Sequence, residues 1–204
     1  MRQSMLAASR PLTCYFWNST PTLLCRWATG LEFGFTLHPV PRMVACVVGI
    51  DFEIRHLFIS AGHNFVGHHQ KPPADYANVE VTEIHCVTRQ GITGDRYYGH
   101  KNGRKGNITF FEEETYQDLC AQFGVWDRGP EVFRRNVITR GINLNELIGI
   151  EFELQGVRIF GDEECRPCYW MDRVFAAGAE NAMKGRGGLR ATILSDGVLR
   201  KNEQ

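Results

Sequence analysis

The chain has 204 residues, 43% of them hydrophobic, which is enough to bury one sizeable core and indicates a single domain. Its 23 basic and 23 acidic residues give a formal net charge of zero. This balance argues against binding to nucleic acid or a membrane through bulk electrostatic attraction. Seven cysteines are an odd number and too few for a dense disulfide framework. They favour a reducing compartment, so we expect a cytoplasmic protein.

The first 42 residues differ in composition from the rest of the chain. Residues 1–31 contain three arginines and no acidic residue, and they lack the run of roughly 20 apolar residues that a membrane helix needs. The segment weakly resembles an organelle transit peptide, although it has no clean amphipathic helix. We favour the alternative that Met43 is the true first residue, and we expect the domain to cover residues 43–204.

After Met43 most of the chain shows the alternation of apolar and polar residues that is typical of strands. Two neighbouring stretches alternate out of phase, which predicts a bulge near Thr82. The pair Gln155-Gly156 lies between two alternating runs and predicts a hairpin. The predicted strands cover residues 45–50, 54–59, 79–81, 84–86, 132–139, 150–154, 156–160 and 189–194.

Two stretches are predicted to be helical. Apolar residues recur at helical spacing from Tyr116 to Phe123, after an acidic first turn at residues 112–114 and before Gly124. Residues 169–183 contain no proline and form the second candidate. Many short strands with few helices predict a mainly β, α+β fold, in which a β-barrel carries appended helices.

The most informative motif for chemistry is Cys165-Arg166-Pro167-Cys168, between a predicted strand and the second predicted helix. Pro167 suits a first helical turn, where free backbone N–H groups and the helix dipole favour a thiolate. A lone CxxC is also compatible with half of a zinc site, a redox pair or two structural thiols, because no second CxxC or HExxH pattern accompanies it. The sequence therefore offers a reactive or metal-ligating sulfur.

Three segments are candidates for binding an anion, with solvated turns or strands as the alternative for each. The glycine-rich loop at residues 91–96 continues to residue 106 with three further cations. Arg134 and Arg135 fall in a predicted strand, so only one of them can face a given cavity. Glycines at residues 184–190 allow close backbone approach. The cations of the first loop are Lys101, Arg104 and Lys105.

Other histidines and cysteines are expected to have structural roles. His63, His68 and His69 are interpreted as loop or hydrogen-bonding residues rather than zinc ligands, because no zinc pattern accompanies them. Cys86 and Cys120 lie on apolar faces, and we expect buried, inert thiols there.

Taken in chain order, these motifs resemble the MOSC family, named for the C-terminal domain of molybdenum cofactor sulfurases. The resemblance covers about residues 47–198. It implies a mostly antiparallel, β-barrel-like fold and a cysteine that carries sulfur for the molybdenum cofactor or ligates molybdenum. In amidoxime-reducing members it implies reduction of N-hydroxylated bases and amidoximes. It rests on Phe58-Ile59-Ser60, Gly94-Asp95-Arg96, the run from Arg135 to Gly141, Leu144, Cys168 and Gly187-Gly188-Leu189-Arg190-Ala191.

The resemblance also implies roles for individual residues. Cys168 would ligate molybdenum, whose softness a thiolate matches, and Cys165 would be a second ligand, a resolving thiol or a packing residue. Arginine forks match the phosphate oxygens of molybdopterin, and Asp95 would orient an arginine or a pterin N–H. The candidate cofactor-binding residues are Asp95, Arg96, Arg135, Asn136, Arg140, Arg186 and Arg190.

Two departures from larger relatives limit the inference. We expect no desulfurase domain and hence no pyridoxal phosphate in this chain, and residues 1–42 are too short for the N-terminal β domain of amidoxime-reducing members. We expect a small reductase module that acts on N-hydroxylated small molecules with an external electron donor. The alternatives are a non-catalytic carrier of cofactor or of persulfide sulfur received from a desulfurase, and a metal-independent structural or binding protein.

Overall fold

The computed structural model describes the backbone at residues 48–49 and the chain at residues 52–64, 74–99 and 106–202. The predicted N-terminal extension, residues 1–42, lies outside this part, so the boundary at Met43 stays a prediction. None of the described helices is long and apolar enough to cross a membrane. The strands are β1 (Val48–Gly49), β2 (Glu53–Ile59), β3 (Val79–Val81), β4 (Glu83–Val87), β5 (Gly91–Ile92), β6 (Ile108–Glu112), β7 (Val137–Arg140), β8 (Glu151–Leu154), β9 (Val157–Glu164), β10 (Leu189–Ile193) and β11 (Gly197–Arg200). The helices are α1 (Glu113–Phe123), α2 (Trp170–Val174) and α3 (Ala179–Ala182), with 3₁₀ turns at Pro130–Phe133 and Leu144–Leu147.

The strands form two sheets, which confirms a mainly β fold rich in antiparallel pairs. The larger sheet has the order β1-β8-β9-β10-β6-β7-β2-β3, and the smaller has the order β11-β4-β5. Among the described strands, only the pairs β1–β8 and β6–β7 are parallel. The predicted barrel is wrong for the described residues, because neither sheet closes on itself. The end strands β1 and β3 have only two and three residues and do not pair with each other.

The hairpin predicted at Gln155-Gly156 is confirmed. Leu154 pairs with Val157, and the two turn residues have φ angles of 49° and 81°, as a type I′ turn requires. The predicted bulge near Thr82 is wrong, because the chain changes sheets there. β3 pairs with β2 in the larger sheet, whereas β4 pairs with β11 and β5 in the smaller one. Where the chain passes from one sheet to the other, the set of alternate residues that faces the core changes. The alternation of apolar and polar residues therefore shifts phase there, as it would at a bulge.

The strand predicted at residues 132–139 begins later than expected. Pro130 starts a 3₁₀ turn, and Arg134 ends it in the left-handed conformation with a φ of 56°. β7 therefore begins at Val137, and the neighbouring arginines do not alternate across a strand. The apolar pair Val132-Phe133 belongs to this 3₁₀ turn, in which Phe133 is the buried residue, and it does not begin the strand.

Of the two predicted helices, the first is confirmed and the second is interrupted. α1 ends at Gly124, whose φ of 66° forms the left-handed cap that the sequence predicts. The stretch at residues 169–183 is split into α2 and α3, because Gly178 has a φ of 92° between them. Absence of proline was therefore not sufficient for a continuous helix.

The centre of the larger sheet is buried on both faces. In β2, β6 and β7, neighbouring buried residues such as Phe110 and Phe111 point to opposite faces. One face packs with the smaller sheet in an inner cluster, and the other lies in an outer cluster with residues of the helices. The inner cluster includes Leu57, Ile84, Ile92, Phe110, Val137, Phe152, Leu189 and Leu199. The outer cluster includes Phe58, Phe111, Leu119, Phe133, Ile138, Trp170, Met171 and Phe175.

An ion-pair cluster fastens α1 to this sheet. The Glu113 carboxylate is 3.1 Å from Nε of Arg55 on β2 and 2.8 Å from Nε of Arg140 on β7. The Glu113 side chain is only 11% exposed, so the two guanidinium groups supply hydrogen bonds that water cannot fully replace.

We therefore expect Glu113→Ala to lower the free energy of unfolding by about 2 kcal/mol, the range for hydrogen bonds to charged groups. The measurement is urea denaturation of the purified protein. Asp118→Ala is the matched control on the same helix, because its ion pair with Arg186 is exposed and 3.6 Å long and should contribute less than about 0.5 kcal/mol. Equal stability losses in the two variants would show that the Glu113 cluster has no special role.

Candidate functional site

A buried carboxylate joins three of the predicted site segments. The Asp95 side chain is 1% exposed, and its Oδ2 accepts hydrogen bonds from Ser60 N, Asn136 Nδ2 and Arg96 Nη1 at 3.2, 3.2 and 3.4 Å. Its Oδ1 accepts from Tyr97 N at 3.2 Å. We call Asp95, Ser60, Arg96, Arg134 and Asn136 the Asp95 network. The network ties the loop after β2, the loop after β5 and the start of β7 to one another.

Asn136 extends this network into the sheet. Its Nδ2 also donates to Phe58 O at 3.2 Å, and its Oδ1 accepts from the Thr109 hydroxyl at 2.8 Å and from Thr109 N at 3.1 Å. Thr109 pairs in the ladder with Arg190 of β10. Three successive contacts, Asp95–Asn136, Asn136–Thr109 and Thr109–Arg190, therefore connect the predicted cofactor residues.

Arg134 was placed in a candidate anion-binding segment by the sequence but not among the candidate cofactor-binding residues. Its Nη2 donates to Ser60 Oγ at 3.0 Å and to Gly62 O at 2.7 Å, while Arg96 Nη2 donates to the Arg134 carbonyl at 3.0 Å. Burial, and then the nearby Arg96, lower the pKa of Arg134 to about 10. Assigning residues 132–139 to a strand concealed this role, because a strand would send Arg134 away from the site.

The two cysteines of the CxxC differ in environment. Cys165 is 2% exposed, and its N–H donates to Gly188 O at 2.7 Å. Cys168 is half-buried and packs against the outer cluster. Both thiols are free. Cys168 precedes the five-residue α2 instead of lying in the first turn of a long helix, and that expectation is therefore wrong.

Arg135 contacts the glycine-rich turn beside these cysteines. Its Nε and Nη2 donate to Gly187 O at 3.3 and 3.1 Å, and its Nη1 donates to Phe133 O at 2.8 Å. Gly187 N donates to Glu164 Oε1 at 3.1 Å. A Cβ on Gly187 would lie 2.0 Å from Cys165 O, which confirms the close backbone approach predicted for this turn.

The remaining predicted arginines lie in different settings. The Arg190 side chain is 43% exposed, and its one ion pair within the described part of the chain is long, 3.7 Å to Glu163, which leaves its guanidinium able to meet an external anion. Arg140 contacts Glu113 at the other end of β7 from Asn136, so the structure does not bring it into the Asp95 network. Arg186 donates to Ala182 O at 2.9 Å and stays near the helices.

Several residues named in the sequence analysis lie outside the described part of the chain, namely His68, His69, Lys101, Arg104 and Lys105. His63 packs edge-on against Tyr97, with ring centroids 4.8 Å apart. Within residues 52–64, 74–99 and 106–202, no three His, Cys, Asp or Glu side chains come together as a metal site. The described site thus offers a partly accessible thiol, an exposed arginine and a rigid polar network.

Comparison with known proteins supports a family assignment. The sequence profile of the MOSC domain matches residues 97–204, just over half of the chain. No curated protein matches the sequence. The structure is similar to the YuaD protein from Bacillus subtilis, with a TM-score of 0.58, 17% identity and coverage of 74% of this chain and 91% of that one.

Two further solved structures have the same fold. For YiiM from Geobacillus stearothermophilus the TM-score is 0.53 at 13% identity, covering 74% of this chain and 71% of that one. For YiiM from Escherichia coli the TM-score is 0.50 at 17% identity, covering 72% and 66%. At such identities the likeness shows the fold alone.

The environments of the described cysteines predict selective alkylation. In native protein at pH 8 we expect iodoacetamide to modify Cys168 while Cys86 and Cys120 stay protected. Burial raises the pKa of the Cys86 thiol to about 12 and also raises the pKa of Cys120. Peptide mass spectrometry measures each site, with denatured protein as the control in which all three must react. Modification of Cys86 before Cys168 would contradict this assignment.

Proposed function

Because the chain belongs to the MOSC domain family, we propose that it binds molybdenum cofactor through Cys168 and reduces N-hydroxylated small molecules. The observation that carries the proposal is the partly accessible Cys168 thiol, which follows residues 165–167, where the glycine-rich turn bound by Arg135 packs closely. We place this activity in the cytoplasm, with an external protein as the electron donor.

The donor set fits a metal that arrives with ligands of its own. A metal bound by side chains alone needs three or four of them together, and the described residues offer no such group. Molybdopterin contributes dithiolene sulfurs, so a single soft thiolate is sufficient from the protein. A phosphate group requires a cation at the surface, and the half-exposed Arg190 meets that requirement.

Each part of the site would have a distinct task. Cys168 would hold the molybdenum, and the guanidinium of Arg190 would bind the phosphate. The Asp95 network would keep the surrounding loops in register, and the outer cluster behind Cys168 would exclude water from one side of the thiol. When bound, the cofactor supplies two-electron redox chemistry.

A carrier of sulfur is the second candidate function. A persulfide carrier needs one accessible thiol whose neighbours do not attack it. Cys168 is the half-buried member of the pair, whereas Cys165 is buried. In this case a desulfurase would donate the sulfur, and the chain would hold it as a Cys168 persulfide without carrying out a reduction.

Replacing each of the two cysteines by serine in turn distinguishes these functions. In protein from a host that makes molybdenum cofactor, we expect Cys168→Ser to abolish molybdenum loading, because a hydroxyl is a poor ligand for a soft metal. Cys165→Ser is the matched control and should retain most of the metal. Elemental analysis gives molybdenum content, and intact mass spectrometry detects a persulfide. A persulfide on molybdenum-free wild-type protein would favour the carrier, and equal metal content in wild type and both variants would refute the metal site.

The role of Arg190 is tested separately. Arg190→Ala should weaken molybdopterin binding by about 1.5–3 kcal/mol, the value of a hydrogen bond to a charged group. Fluorescence titration with molybdopterin measures the affinity. Arg200→Ala is the control, because Arg200 is an exposed arginine of the smaller sheet that pairs with Glu83. Equal affinity for the wild type and Arg190→Ala would make Arg190 a solvated surface charge.

A further inference from the structure

Charged side chains hold the backbone of Gly187 from both sides. Arg135 donates to the Gly187 carbonyl through Nε and Nη2, and the Glu164 carboxylate accepts from the Gly187 N–H at 3.1 Å. We propose that Arg135 is a positioning residue, which acts on Cys168 through Gly187 and through residues 165–168, the cysteine segment. In this proposal Arg135 does not bind the cofactor phosphate itself. This inference rests on the proposed role of Cys168 as the reactive thiol.

The arrangement of Arg135's donors favours this role over direct phosphate binding. A guanidinium binds phosphate best through two parallel N–H groups on one edge. In Arg135 the Nε–Nη2 edge points at a single backbone oxygen, that of Gly187, and Nη1 points at Phe133 O. The fork is thus already occupied by the protein's own carbonyl groups. Arg190 differs, because among the described residues its guanidinium has only the long contact to Glu163.

Gly187 transmits this restraint to the cysteine segment. Its Cα lies so close to Cys165 O that no side chain fits between them, and the next residue, Gly188, accepts a hydrogen bond from Cys165 N at 2.7 Å. A Cβ on Gly187 would also come within 3.2 Å of Pro167 Cδ. The glycine turn and residues 165–167 are therefore in close contact, and Cys168 follows directly in the chain.

The consequence concerns the access of reagents to the Cys168 thiol. Cys168 is half-buried because it packs against the outer cluster. If Arg135 no longer holds Gly187, residues 165–168 lose their lateral support, and the thiol spends more time away from the cluster. Alkylation of Cys168 in protein without ligand should then become faster, although Arg135 never touches the thiol.

The experiment measures the rate of Cys168 alkylation by iodoacetamide, site by site, in protein without molybdenum cofactor. We expect Arg135→Ala and Glu164→Ala each to raise this rate about fivefold, the factor for losing a net hydrogen bond. Arg158→Ala is the matched control, because Arg158 is an exposed arginine of β9 that pairs with Glu151. If Arg135→Ala does not fold, Arg135→Lys replaces it, since lysine keeps the charge and loses the fork.

Two outcomes would overturn the proposal. An unchanged Cys168 rate in Arg135→Ala or its replacement Arg135→Lys would remove the positioning role, and a simultaneous loss of molybdopterin affinity would identify Arg135 as a direct ligand. Equal acceleration at Cys86 and Cys120 would show that the whole fold has loosened. Because alkylation needs no cofactor, absence of molybdenum from the wild-type protein would refute the proposed function and leave this result standing.

Discussion

The arrangement of the site depends on one buried carboxylate. Asp95 accepts hydrogen bonds from residues that are 35 and 41 positions away in sequence, Ser60 and Asn136, and from its neighbour Arg96. A buried carboxylate is tolerated only when its lone pairs are satisfied, so the three segments must stay together for the charge to stay buried. Asn136 passes this restraint into β2 and β6 through Phe58 and Thr109. The loops after β2 and β5 are thus joined to the start of β7 by polar contacts.

Residues 165–168 lie between the outer cluster and the glycine-rich turn that Arg135 contacts. Burial of the sheet centre on both faces makes the outer cluster possible, because residues such as Phe111 and Ile138 need a cover that the helices supply. Cys168 packs at the margin of that cluster, and Arg135 and Gly187 lie on its polar side. The thiol is consequently partly shielded and partly accessible, which suits both a metal ligand and a persulfide carrier.

Local patterns predicted local structure well, and contacts between distant segments could not be predicted from one sequence. The Gln155-Gly156 hairpin and α1 with its Gly124 cap depend on neighbouring residues, so their signals were sufficient. The change of sheet at Thr82 gives the same sequence pattern as a bulge. The 3₁₀ turn before Arg134 gives the same sequence pattern as a strand. Asp95 and Asn136 were selected as a motif, but sequence could not show that their polar atoms face each other. Arg134 was missed for the same reason, since its partners Ser60 and Gly62 are over 70 positions away.

The short end strands of the larger sheet also set a gradient of local stability. β1 and β3 have two and three residues, whereas β6 and β7 are paired on both sides and covered on both faces. Amide protons of the end strands can therefore exchange with solvent through fraying, while those of β6 and β7 require much larger openings. Asn136 stands at the boundary with β7, so the Asp95 network is anchored at the slow-exchanging centre. Local unfolding of the end strands can therefore occur without disturbing the Asp95 network.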